Sequence, residues 1–294
     1  MRILFIGSVE FSYHILKKLF ELKADIVGIC TLKESNLDTD HVDLSLITKK
    51  RKIPFIYSPD INNKDVIEWI KEKTPDIIFC FGWSKLLKQD LVNIAPLGVV
   101  GYHPSMLPEN KGRHPIIWAL ALGLKSTGSS FFFMDLEADS GKIISQRKIQ
   151  IDFSDDAQSL YTKVIETAKE QIEFFFLPTL ASGNVYGIPQ DGSNSNVWRK
   201  RNYRDGIIDW RMSSESIYNL IRGLTRPYIG AEFLFGKNII KVWSSKIEKC
   251  TLNNFEPGKV LDIKNKKILV KIGDGAIWLL DIGPFPDVNL GDYL

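Results

Sequence analysis

His103 and Asp139 are the two residues whose types and spacing point to chemistry. His103 follows a short apolar run, Gly98 to Tyr102, and Asp139 comes 36 residues later in an Asp-Ser-Gly turn. Between them lie a Pro-rich loop, a helix and a second strand. An imidazole at the end of a buried strand, met by a returning carboxylate, makes a base with its orienting group. That pairing is what acyl or one-carbon transfer to an amine requires. Taken singly, each residue has a plainer reading. A lone histidine is more often structural, and Asp-Ser-Gly is common turn chemistry. The spacing favours the paired reading.

The flanking sequence shows which elements must position this pair. Apolar runs predict strands at Arg2 to Ile6, Asp25 to Leu32, Ile53 to Ile56, Asp76 to Phe81 and Gly98 to Tyr102. Helices are expected over the segment with Phe11, Ile15, Leu16, Leu19 and Phe20, then at Leu44 to Lys52, Val66 to Lys73 and Leu86 to Ile94. Alternating elements of this size indicate a doubly wound, mostly parallel α/β sheet. Its ligand crevice lies at the carboxyl ends of the strands, where Gly7, Gly82 and His103 fall. The Gly7 turn lacks G-x-G-x-x-G, so a dinucleotide site is not supported. Ser129 to Met134 and Lys142 to Ile151 read as strands extending the sheet antiparallel. Ser154 to Leu180 reads as a long helical stretch capped at Ser154.

Gly, Asn and Ser then dominate a linker that carries the basic cluster Trp198-Arg199-Lys200-Arg201. From Gly206, a helix at Ser213 to Gly223 and short strands between Phe233 and Leu280 suggest a small β-barrel. The expected organisation is a Rossmann-like catalytic domain (1–182), a linker (183–205) and a smaller C-terminal OB-like domain (206–294).

The totals exclude little. A net charge of +3 neither demands nor forbids a polyanion, and 44% hydrophobic with 25% charged residues is ordinary for a soluble domain. No apolar run approaches the ~18–20 residues that span a bilayer, and a strand beginning at Arg2 leaves no signal peptide, so a cytoplasmic protein is expected. Cys30, Cys80 and Cys250 lack metal-type spacing, and no metal site is expected.

The segment from Val100 to Gly141 resembles the signature of the folate-dependent formyltransferases. Here it reads Gly101-Tyr-His103-Pro-Ser105-Met-Leu-Pro108, Gly112-Arg113-His114-Pro115, Trp118 and Asp139-Ser-Gly141. Ile208-Asp-Trp210 and Ile221-Arg-Gly-Leu-Thr-Arg-Pro-Tyr-Ile-Gly230 resemble the C-terminal domain of the same enzymes. The resemblance implies N10-formyltetrahydrofolate as formyl donor, with His103 and Asp139 catalytic. It places Trp83, Leu86 and Leu87 beside the pterin, although the leucines also fit ordinary helix core. The backbone of the loop with Asp135, Leu136 and Ala138 would meet the pterin edge.

One position departs from the pattern. Gly101 stands where the family carries an asparagine that donates to the developing oxyanion. Ser105, a loop N–H or a water would replace it, and space for a side chain at 101 is expected. Ser105, Lys111 and Arg113 would border the amine substrate, with Arg199 and Arg201 as a second basic wall suited to a diphosphate. Solvated surface is the plainer reading of that loop.

These features favour transfer to a nucleotide-linked amino sugar over methionyl-tRNA. The Glu34 to Asp43 loop is acidic and would repel a phosphate backbone, so no nucleic-acid partner is expected. A non-catalytic folate- or nucleotide-binding module is the reading from another class. No membrane partner is expected, and a homodimer stays open.

Overall fold

The computed structural model describes residues 1–35, 39–182, 186–251 and 254–294, at 175 the backbone only. Asp38 of the acidic loop and residues 183–185 of the linker lie outside the described residues. Contacts divide the chain into two units. One comprises 1–112, 127–149 and 162–198, and the other 113–126, 150–161 and 199–294.

In the first unit, β1 (Arg2–Ile6) is followed by α1 (Glu10–Glu21), β2 (Asp25–Thr31), α2 (Ser45–Lys49), β3 (Phe55–Tyr57), α3 (Lys64–Glu72), β4 (Ile77–Cys80), α4 (Gln89–Val92), β5 (Val99–His103) and the two-residue β6 (Lys111–Gly112). In chain order the helix α5 (Pro115–Ala121), which belongs to the second unit, follows, then β7 (Ser126–Phe133), β8 (Ile143–Gln150) and α6 (Ala157–Gln171). A π-helical turn (Ile172–Phe176) leads into α7 (Leu177–Ala181), and β9 (Val197–Trp198) lies in the expected linker. The main sheet runs β3-β2-β1-β4-β5-β7-β8. Its first five strands are parallel, and β7 joins β5 antiparallel. The order reverses between β1 and β4, which is where such sheets open a crevice. Apolar side chains fill both faces, with Phe5, Phe79, Phe81 and Phe131 fully buried, as a sheet covered on both faces requires.

Two expected elements differ. Leu86 to Lys88 are not helical, and α4 starts at Gln89. Asn62 explains this: its Nδ2 donates to Leu86 O (3.0 Å), and its Oδ1 accepts from Lys88 N–H (2.7 Å). The segment is thereby held extended. Asp156 rather than Ser154 caps α6, exchanging hydrogen bonds with Ser159. The long helix is not uniform either. Its π turn ends just before Pro178, whose ring offers no N–H to a regular ladder.

In the second unit, α8 (Ser214–Leu224) is capped by Ser213, whose side chain accepts from Ser216 N–H. The strands β10 (Ala231–Phe235), β11 (Asn238–Glu248), β12 (Val260–Lys264), β13 (Lys267–Lys271) and β14 (Ala276–Gly283) form one antiparallel sheet, ordered β10-β11-β14-β13-β12. Its core joins Ile217, Leu220, Ile221 and Leu224 of α8 to Trp210, Phe233, Val242, Val270 and Leu279. Ile117 of α5 belongs to the same core. No helix among the described residues is long and apolar enough to cross a membrane.

Candidate active site

His103 sits on the last residue of β5, almost fully buried. Its Nε2 lies 2.8 Å from the carbonyl oxygen of Asn110. A carbonyl only accepts, so Nε2 carries the proton and Nδ1 is the nitrogen left to take one. Nδ1 faces Asp139 Oδ1 at 3.8 Å. The expected pair is therefore brought together, but at a distance beyond hydrogen bonding. The bond that orients the ring comes from Asn110, a residue that no local sequence signal marked.

Asp139 is held from several sides. Its Oδ2 accepts from Gly112 N–H (2.9 Å), and its backbone carbonyl accepts from Gln190 Nε2 (2.8 Å). Asp139 and Asn110 both adopt left-handed backbone, with φ of 55° and 61°. Asp and Asn are the non-glycine types that tolerate this best. Gly141 then lets the chain turn back against β7, since a Cβ there would lie 1.7 Å from Phe133 O.

Lys111 joins this group, its Nζ donating to Ser140 Oγ (2.9 Å). Ser105 is fully buried, and its hydroxyl donates to Glu109 O (2.7 Å). That proton is committed, so Ser105 braces the loop and does not supply the missing oxyanion donor. The space expected at Gly101 is also filled. A Cβ there would lie 2.8 Å from Met134 Cγ and 2.9 Å from Phe132 Cζ. Phe132 pairs with Gly101 across β5 and β7, and neighbouring residues on paired strands share a face.

Trp83 and Leu87 pack on the apolar cluster of Leu4, Ile6, Ile78 and Cys80 at the ends of β1 and β4. Trp83 Nε1 is buried and has no hydrogen-bond partner among the described residues. Leu86 is 63% exposed and Leu136 54%, with Asp135 and Ala138 exposed beside it. Leu86 is therefore not core, whereas Leu87 is.

Arg113, Arg199 and Arg201 belong to the second unit. Arg199 and Arg201 stack over the Trp118 ring at 5.2 and 4.8 Å. Arg199 also binds Asp205 through both guanidinium NH2 groups, and Arg201 donates to the Asp205 carbonyl. The hydrogen bonds from Arg199 hold the Asp205 carboxyl well below the usual carboxylate range. The expected basic wall is thus partly neutralised from within.

An imidazole with Nδ1 left open and a carboxylate beside it at the carboxyl edge of a doubly wound sheet fit a group-transfer enzyme of the acyl or one-carbon class. Its family is shown directly. Residues 1–173 match the formyl transferase family and residues 200–284 the formyl transferase C-terminal domain, so the chain belongs to the formyltransferases and is a formyl-transferring enzyme.

The chain is 34% identical over 278 residues to the bifunctional polymyxin resistance protein ArnA of Wigglesworthia glossinidia brevipalpis, covering 91% of this chain and 42% of that protein. It therefore spans less than half of that relative's length. Among solved structures it is similar to WlaRD, a sugar 3N-formyltransferase determined with dTDP and 5-N-formyl-THF, with a TM-score of 0.70 at 18% identity over 97% of this chain and 98% of WlaRD. It is also similar to HypX of Aquifex aeolicus in complex with tetrahydrofolic acid, with a TM-score of 0.68 at 18% identity over 96% of this chain and 44% of HypX. These two likenesses are of fold.

Proposed function

We propose that this enzyme transfers the formyl group of N10-formyltetrahydrofolate to the amine of a nucleotide-linked amino sugar, with His103 and Asp139 as the catalytic pair. The observation that carries the reading is His103, pinned through Nε2 and presenting Nδ1 toward Asp139.

The residues present fit a folate. Exposed Leu86 and Leu136 offer apolar surface to a flat ring. Trp83 Nε1 is a buried donor with no partner among the described residues, and the loop with exposed Asp135, Leu136 and Ala138 is proposed to meet a polar edge. When bound, the folate supplies the formyl group. His103 Nδ1 would take the proton that the substrate amine gives up as its nitrogen bonds to the formyl carbon, and would return it to the N10 nitrogen left when the N10–formyl bond breaks, so that the step balances. Asp139 steadies the resulting positive ring through its charge. A side chain at 101 supplies no oxyanion donor, so the charged imidazolium and loop N–H groups carry that load. Lys111 is proposed to meet the amine substrate, and Arg113, Arg199 and Arg201 are proposed, from their residue type alone, to recognise a diphosphate.

The sugar reading is supported by the likeness to WlaRD, which extends over nearly the full length of both chains. Purified protein incubated with N10-formyltetrahydrofolate and a panel of nucleotide-linked amino sugars should yield a product heavier by one carbonyl unit. Methionyl-tRNA formylated as efficiently as the best sugar would replace this reading with the tRNA one. Binding of both small molecules without turnover would make the chain a binding module.

A further inference from the structure

The geometry points to Asn196 as a positioning residue for the imidazole, acting through the Asn110 carbonyl. This inference rests on His103 as the proton-handling group. Asn196 lies in the segment that the sequence reads as a linker, 86 residues from Asn110. It nevertheless grips the His103 loop at three points. Its Oδ1 accepts from Asn110 N–H (2.7 Å), its Nδ2 donates to Asn110 Oδ1 (3.1 Å), and its carbonyl accepts from Lys111 N–H (3.1 Å). The grip continues as β6 paired with β9, Lys111 against Val197 and Gly112 against Trp198.

The consequence follows from the peptide unit. Asn110 sits in a left-handed conformation, which asparagine tolerates better than other side-chain-bearing residues and which its hydrogen bonds hold in place. The Asn110 carbonyl shares its peptide plane with Lys111 N–H, which the Asn196 carbonyl holds, while the Asn196 side chain holds the preceding N–H and the Asn110 side chain; together these fix the direction of the Asn110 carbonyl. That carbonyl is the acceptor that keeps the proton on His103 Nε2. Asn196 therefore sets which imidazole nitrogen is free to act as base. Gln190, six residues earlier, holds the loop that carries the carboxylate, donating through Nε2 to the backbone carbonyls of both Asp139 and Gly141 at 2.8 Å. The 190–198 segment thus clips together the two loops that present His103 and Asp139, and belongs to the catalytic machinery rather than to a tether.

The test reads the ring directly. The chain has four histidines, so long-range ¹H–¹⁵N spectra can assign His103 by comparison with His103→Gln. Wild type should show the Nε2–H tautomer when neutral. Asn196→Ala should lose that tautomer preference, change the pH profile of kcat, and lower kcat about ten- to a hundredfold, as expected for misplacement of a catalytic group, while KM for the folate moves little. Asn196→Asp, which keeps the acceptor for Asn110 N–H, should recover most of the rate.

An Asn196→Ala enzyme with the wild-type tautomer and pH profile overturns the inference, whether kcat is unchanged or falls only in step with thermal stability. Failure of Asn196→Asp to rescue also counts against it. Normal turnover by His103→Gln would instead overturn the catalytic reading, and the tautomer spectrum would still judge the clip.

Discussion

Gly101 and Phe132 face each other across the antiparallel β5–β7 pair, and the Phe132 ring occupies the space that a side chain at 101 would enter. The glycine at 101 and this bulky neighbour are therefore one structural feature, since the ring takes the room that a side chain at 101 would need. Gly101→Asn should not restore an oxyanion donor. It should destabilise the fold by about 1–3 kcal/mol through overpacking and lower kcat. Combining it with Phe132→Ala should return much of the stability. A Gly101→Asn protein that melts like wild type would show that Phe132 and Met134 yield freely.

The catalytic pair makes a second prediction. His103→Gln and Asp139→Asn should each lower kcat by about 10²–10⁴, the usual worth of positioned proton transfer, with the folate still bound. Binding by fluorescence and a thermal melt beside the kinetics separate loss of chemistry from loss of fold. Turnover within a few-fold of wild type in either variant would remove that residue from the mechanism.

The Arg199–Asp205 pair predicts an acid dependence of stability. Arg199 depresses the folded carboxyl of Asp205. Its contribution is therefore complete above the unfolded value of about 4 and fades as pH falls from there toward the folded value. Melting curves of wild type and Arg199→Ala should lie furthest apart near neutral pH and converge in acid. A gap that widens on acidification would reverse the assignment.

Thiol reactivity provides a fourth check. Burial pushes the Cys80 thiol up to about 12 and the Cys30 thiol higher still, the neighbouring Cys80 adding to the latter. Cys250 is only half-buried. A thiolate-specific reagent at neutral pH should label Cys250 in the folded protein and reach Cys30 and Cys80 only on unfolding. Rapid labelling of all three in native buffer would contradict the core placement of β2 and β4.

Arginine contacts to a diphosphate give the last prediction. Arg113→Ala should raise KM for the nucleotide sugar about tenfold, the worth of one charge-assisted hydrogen bond, and leave KM for the folate nearly unchanged. Equal losses for both substrates would point to a folding defect.

The sequence by itself determined the main strands and helices and their order. Val- and Ile-rich runs such as Ile77–Cys80 and Val99–His103 suit buried parallel strands, and α1 and α8 carry their apolar residues on one face. These are local properties, each expressed within a few residues of chain. His103 and Asp139 were legible for a related reason: each ends or turns a recognisable element.

Only the tertiary structure decided what surrounds them. Asn62 holds Leu86 to Lys88 out of a helix from 24 and 26 residues away, and Phe132 fills the space beside Gly101 from the adjoining strand. Asn196 reaches Asn110 across 86 residues. Side-chain periodicity encodes which face of an element is buried. It does not encode which distant amide meets which carbonyl, because those partners are chosen by the closure of the fold.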